Sequence, residues 1–194
     1  MDERKRGIGE SLEPGGREKA PGRLALLQRF INTHNHDFPP DWDRIGTATK
    51  ARAWLREKEL IASAAALSDE DARRLRELRE ALRALLVARQ HGEPEPEAVA
   101  VVRAAGGVLR VTVDGEGRTS LEPARPGVEG VKATMLAIVH EAQVSGDWSR
   151  MKGCRQCEYA FYDRSKNRSA TWCAMSICGN RTKNRAYYRR QRGG

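Results

Sequence analysis

The first 153 residues of this 194-residue chain contain no cysteine; all four lie between positions 154 and 178. No apolar run approaches eighteen residues, so nothing in the sequence is expected to span a bilayer. No apolar signal segment is apparent either. An oxidising compartment is therefore not indicated, which weakens a reading of the four cysteines as two disulfides. Also missing are a Gly-rich phosphate loop, an H-E-x-x-H pair and a Ser/His/Asp cluster. The expectation is a soluble, cytoplasmic protein that is not an enzyme. Hydrophobic residues make up only 39% of the chain. That is still enough for a core, and 21.7 kDa accommodates one good-sized domain plus a small one.

Acidic residues are scarce at one end. From Arg150 to Gly194 there are twelve Lys/Arg and two acids, Glu158 and Asp163. Residues 1–149 hold 23 basic and 24 acidic side chains, so the whole excess of +9 belongs to the last quarter. A neutral body with a compact cationic end is the footprint of a phosphate-binding module. A solvated surface, or a contact with acidic protein or lipid, is the plainer alternative.

That cationic end also holds the cysteines. Cys154 and Cys157 form C-x2-C, fifteen residues follow, and Cys173 and Cys178 form C-x4-C. Two close pairs separated by a short span suit a tetrahedral zinc site of four thiolates, closed to further ligands and so structural. A redox C-x-x-C would leave Cys173 and Cys178 without a role, and an iron–sulfur cluster also takes four thiolates. After Cys178, Gly179 permits a left-handed backbone, and Asn180 or Thr182 can cap a helix. On that helix Arg181, Arg185 and Arg189 recur every four residues on one face, widened by Lys183, Arg190 and Arg192. Tyr187 and Tyr188 add aromatic contacts. Arg181, Lys183, Arg185, Arg189 and Arg190 are the candidate nucleic-acid contacts, in a helix suited to a major groove.

Upstream, Gly, Pro and charge dominate residues 1–21, which read as a disordered tail. Leu24, Leu27, Phe30, Ile31 and His34 recur at helical spacing over 24–34. His34 and His36 lack Cys or acidic neighbours at ligand spacing, so no metal is expected there. A second helix is predicted around 47–57, with Ala51, Trp54 and Leu55 inward. Ser68 to Asp71 has the form of a capping box opening the strongest helix, about 69–90, with Leu75, Leu78, Leu82, Leu85 and Leu86 as its stripe. Its Arg/Glu alternation reads as surface pairing. A short helix is expected over 98–105. A hairpin is expected over 108–113 and 118–122, turning at Asp114–Gly117, and a long helix over 128–144. The body from 24 to 145 has its own apolar stripes and is expected to fold without the cysteine-bearing end.

The pattern C-x2-C, Phe161-Tyr162-Asp163, Ser165, Asn167, Ser169, Trp172-Cys173, Met175 and Cys178-Gly179-Asn180-Arg181 resembles the CGNR zinc-finger family. Those proteins carry the finger after an N-terminal domain called ABATE-like and are described as stress-induced transcription regulators. Leu27-x-x-Phe30-Ile31-Asn32-Thr33 and Arg79-Glu80-Ala81-Leu82-Arg83 are similar to that N-terminal domain. Lys166 stands where the family usually has Arg, and Ala170-Thr171 where it often has two basic residues. The resemblance covers most of 22–192. The expected fold class is α+β: a mostly helical N-terminal domain with a small antiparallel hairpin (22–146), then a four-cysteine zinc-finger module with a basic helix (147–194). The expected cofactor is one structural zinc on Cys154, Cys157, Cys173 and Cys178. The expected function is DNA binding in transcription regulation, with double-stranded DNA as partner. From the family description and the two-part layout, the N-terminal domain is expected to sense a small-molecule effector or form a homodimer. The main alternative is an RNA-binding or ribosome-associated zinc protein.

Overall fold

The computed structural model describes residues 12–13, 16–37, 39–92, 95–106 and 109–192; of 12, 186–190 and 192 it describes the backbone alone. Helices α1 (Leu24–Ile31), α2 (Ala48–Glu57), α3 (Asp69–His91), α4 (Pro96–Ala104) and α5 (Gly127–Ser145) form the body. Among the described residues no helix is long and apolar enough to cross a membrane.

Each start has a local cause. Thr47 accepts a hydrogen bond from the Lys50 amide at the head of α2. Ser68 and Asp71 form the reciprocal capping box that opens α3, whose end is Gly92 in the left-handed region. Pro96 opens α4, where its missing N–H costs nothing. One face each of α1, α3 and α5 meets in the main core: Leu27, Phe30 and Ile31; Leu75, Leu78, Leu82 and Leu86; Val131, Met135 and Ile138. Trp54 and Leu55 of α2 close one side. Leu85, assigned to the α3 stripe from spacing, is only half-buried. Strands β1 (Leu12–Glu13) and β2 (Arg17–Glu18) pair near the start of the chain, and the hairpin of β3 (Leu109–Val113) and β4 (Thr119–Pro123) is antiparallel, with Val111 opposite Leu121. The Asp114 carboxylate accepts from the Glu116 and Arg118 amides and fixes its turn.

The main core does not stop at residue 146. A second antiparallel hairpin, β5 (Met151–Gly153) and β6 (Ala160–Tyr162), contributes Met151, Ala160 and Tyr162 to it. Gly153 lies so close to α3 that an added Cβ would come within 2.6 Å of Val87 Cγ2. Asn32, one residue beyond α1, donates to the Ala160 carbonyl at 2.8 Å and accepts from the Ala160 amide at 2.9 Å, so its side chain pairs with β6 as a neighbouring strand would.

Two expectations are corrected. The tail assigned to 1–21 is structured where it is described. Leu12–Glu13 pairs with Arg17–Glu18, Ala20 is buried, and its amide donates to Gln28 Oε1 at 2.7 Å; residues 1–11, 14 and 15 lie outside the described residues. Gln28, on α1, makes that order possible by also holding the Glu18 carbonyl at 2.9 Å. The Arg/Glu alternation of α3 is surface pairing only in its first turns, where Glu70 pairs with Arg73 and Arg74. Arg79 and Arg83 are buried instead. Arg79 makes a two-pronged pair with Asp43 at 2.7 and 2.9 Å, and Arg83 donates to the carbonyls of Ile31 and His34, each at 2.6 Å. Both satisfy oxygens that the loop after α1 would otherwise bury unpaired.

Candidate metal centre and nucleic-acid interface

The first cysteine pair sits on the turn between β5 and β6. The Cys154 carbonyl accepts from the Glu158 amide at 2.8 Å and the Cys154 amide donates to the Tyr159 carbonyl at 3.0 Å, which folds 154–159 into a knuckle. Glu158 takes a positive φ of 58° to close it. Of the second pair, Cys173 precedes and Cys178 lies within a π turn, Met175–Gly179, where the Ala174 carbonyl receives the amides of Ile177, Cys178 and Gly179. The turn runs directly into α6 (Asn180–Arg192). The Arg155 amide binds the Thr171 carbonyl at 3.1 Å and brings the two pairs together.

All four cysteines are buried and free, and their sulfurs lie within 4.8 Å of one another. The edges Cys157–Cys173, Cys173–Cys178 and Cys178–Cys157 are 3.8, 3.7 and 3.5 Å. A disulfide needs about 2.0 Å. Zinc bonded to four sulfurs at about 2.3 Å sets the edges of its tetrahedron near 3.8 Å, so the donors fit that ion. Ionisation is uneven across the cluster. The Cys154 thiol is pulled down by hydrogen bonds with Cys157 and Cys173, while Cys157 is pushed up by its contacts with Cys154 and Cys173. Burial pushes Cys178 up to about 12. A dication removes that conflict and lets all four sulfurs bind as thiolates. Tyr159 and Phe161 pack around the sulfurs, with half-buried Trp172 and Ile177 against them.

One contact to this centre was invisible in the sequence. Arg17, from the N-terminal hairpin, lies 4.3 Å over the Tyr159 ring and directs Nε to Cys173 Sγ at 3.4 Å. Nothing in the local composition around Arg17 marks it.

The loop between the pairs is held from inside. Asp163 is buried and accepts from Lys152 Nζ at 2.7 Å, the Ser165 amide at 2.9 Å and the Ala170 amide at 3.0 Å. Burial opposes its ionisation, but Lys152 and Ser165 outweigh burial and hold the carboxyl below its ordinary value. This accounts for the Asp163 and Ser165 positions of the quoted motif. Lys152, one of the twelve cations of the C-terminal stretch, is committed to this staple.

The helix after Cys178 differs in detail from expectation. Gly179 does not take positive φ; a Cβ there would meet Met175 Sδ at 2.2 Å, so glycine serves close approach. Neither Asn180 nor Thr182 caps the helix: Thr182 Oγ1 donates back to the Cys178 carbonyl at 3.0 Å. Arg181 is drawn to the body, pairing with Asp37 at 2.8 Å. Arg185 reaches Gln156 Oε1 of the first knuckle at 3.4 Å, and Lys183 is exposed. The side chains of Arg189 and Arg190, with those of Tyr187 and Tyr188, lie outside the described residues. Exposed Arg155 and Arg168, missed as site residues, line an open groove of about 780 Å³ with Arg89, Lys152 and Trp148.

A helical body sharing its core with a buried four-cysteine knuckle able to hold a metal ion defines a protein of the zinc-finger class. Residues 22–143 match the ABATE family, described as "Putative stress-induced transcription regulator", and residues 150–191 match the CGNR zinc finger. The chain belongs to the ABATE family and carries a CGNR finger at its C-terminal end. No curated protein matches it.

Proposed function

We propose that this chain is a cytoplasmic, non-catalytic transcription regulator that binds double-stranded DNA through its finger, with one zinc held by Cys154, Cys157, Cys173 and Cys178. The body would bind an effector or a second copy. The observation that carries the reading is the placement of charge: the net excess of the chain lies in 150–194, and Arg155, Arg168, Lys183 and Arg185 are all exposed around the metal centre. Cations held on a rigid knuckle and on the helix leaving it can grip phosphates while the helix face reads base edges. Arg181, engaged with Asp37, would brace the helix against the body in this reading.

The test is selection of bound sites from a random duplex pool by the full zinc-loaded chain, with single-stranded and structured RNA as competitors. Enrichment of a common duplex motif that RNA does not displace is the expected result. Preferential binding to RNA would replace this reading with that of an RNA-binding zinc protein.

A further inference from the structure

Sequence spacing gives His34 and His36 no metal partners, but the fold supplies them. α3 delivers Glu80 beside both histidines, and one ring nitrogen of each and a Glu80 oxygen lie within 4.8 Å of one another. The finger delivers Glu158 from the first cysteine knuckle. Both nitrogens of the His36 ring consequently face a carboxylate: Nε2 stands 3.1 Å from Glu80 Oε2, and Nδ1 stands 3.0 Å from Glu158 Oε2.

A neutral imidazole carries one N–H and can satisfy only one of these contacts. If Nδ1–H donates to Glu158, the bare lone pair of Nε2 points at the lone pairs of Glu80, and a positive charge has to sit between them. A proton on His36 would supply it, but would leave His34 unexplained. His34 Nε2 is buried with no hydrogen-bond partner. A metal ion among His34, His36 and Glu80 uses a lone pair from each.

We propose that His34, His36 and Glu80 form a second metal site, separate from the four-cysteine centre, that takes a divalent transition ion of the zinc, nickel or cobalt class. Two imidazole nitrogens and one carboxylate are donors of the hardness those ions favour, with positions left for water. With bonds near 2.1 Å, adjacent donors stand roughly 3.0–3.4 Å apart in octahedral or tetrahedral geometry, and the 3.1 Å between His36 and Glu80 already falls in that range. Glu80 is fixed for the task, since Arg79 Nε binds its Oε1 at 2.7 Å and Arg83 Nε its Oε2 at 3.0 Å. Glu158 takes the outer position of a carboxylate–histidine–metal triad, holding the His36 tautomer. It directly follows the zinc ligand Cys157, so the ion would tie the body to the finger knuckle. The site stands on its own geometry; only its use as an effector input to the body rests on the regulator reading above.

Cobalt(II) added to the full chain, its cysteine site already filled with zinc, tests the proposal without reference to DNA. One cobalt per chain should bind, with the weak d–d absorbance of a nitrogen–oxygen site and no sulfur-to-cobalt charge transfer. His36→Gln, a change at a half-exposed side chain, should abolish those bands while the chain keeps its thiolate-bound zinc. Glu158→Gln should weaken cobalt binding about 10–100-fold, as loss of an outer-shell carboxylate does. Absence of cobalt binding in the wild-type chain would overturn the proposal. Unchanged bands in His36→Gln would overturn it as well.

Discussion

The residues with the most at stake are charged ones that the chain buries. Asp43 meets Arg79 through two hydrogen bonds and also accepts from the Ile45 amide at 2.9 Å. Burial works against its ionisation, but Arg79 and the Ile45 amide outweigh it and hold the carboxyl below its ordinary 3.8. Asp43→Asn keeps the shape and leaves the Arg79 guanidinium buried without its counter-charge, which should cost about 3–5 kcal/mol. The folded-state pKa is the lower one, so the stability from ionised Asp43 is present above about pH 4 and is lost as pH falls through the folded value. Denaturant unfolding of wild type and Asp43→Asn should therefore show a gap that is full near neutrality and narrows with acidification. A constant gap would mean that the charge of Asp43 does not matter. None of this was legible beforehand. Arg79-Glu80-Ala81-Leu82-Arg83 has the alternation of a solvated helix face, and only the loop folded over it makes Arg79 and Arg83 interior. The same blindness hid the surroundings of His36, because Glu80 and Glu158 lie far away in sequence.

At the scale of elements, legibility tracked locality. The capping box of α3, the turn of the β3–β4 hairpin and the stripe of α1 each follow from residues a few positions apart, and the structure has all three, although α1 ends at Ile31, short of His34. Ser68→Ala should accordingly cost about 1 kcal/mol, read as a shift in denaturant midpoint at unchanged slope. The N-terminal hairpin was missed because its order comes from Gln28 and from the finger. The metal centre was legible because thiolate spacing is itself local, while its contact with Arg17 was not. Helix α6 was placed correctly, but its cations proved unequal. Arg181 is tied to Asp37, whereas Lys183 and Arg185 face outward. If α6 holds phosphates, Lys183→Ala or Arg185→Ala should each weaken duplex binding and flatten the slope of log K against log salt by about one. Should Arg185 read a guanine edge, its loss would instead act at a single base position, by roughly 1–3 kcal/mol. Binding unaltered by both substitutions would remove α6 from the interface and turn attention to the groove of Arg155 and Arg168.

At the scale of the whole molecule, the boundary between body and finger is not a boundary in the packing. Met151 and Ala160 are fully buried in the same core as Leu82 and Leu86, and Asn32 continues the β5–β6 hairpin with its side chain. Arg89 and Gln90 of α3 hold the carbonyls of Met151 and Gly153, and Arg83 reaches the Glu158 carbonyl at 3.3 Å. The sequence alone suggests that residues 24–145 fold independently, since their stripes are self-sufficient by pattern. In the structure Met151, Ala160 and Tyr162 of the finger pack against those stripes in one core. The energy of zinc binding should therefore stabilise both parts, because a knuckle that owes its folding to the ion also presents β5 and β6 to α3. Full burial of a large apolar side chain is worth about 1.5–3 kcal/mol, and loosening Met151 and Tyr162 together forfeits about 3–6 kcal/mol. For a chain of this size that lowers Tm by roughly 6–24 °C. Cys173→Ser, or removal of zinc by a strong chelator, should produce such a drop in the helical circular dichroism signal, with native and zinc-free chains each melting in a single transition. A helical signal that melts at the same temperature with and without zinc would show that body and finger are independent after all, and would make the shared core around Met151 a contact without thermodynamic weight.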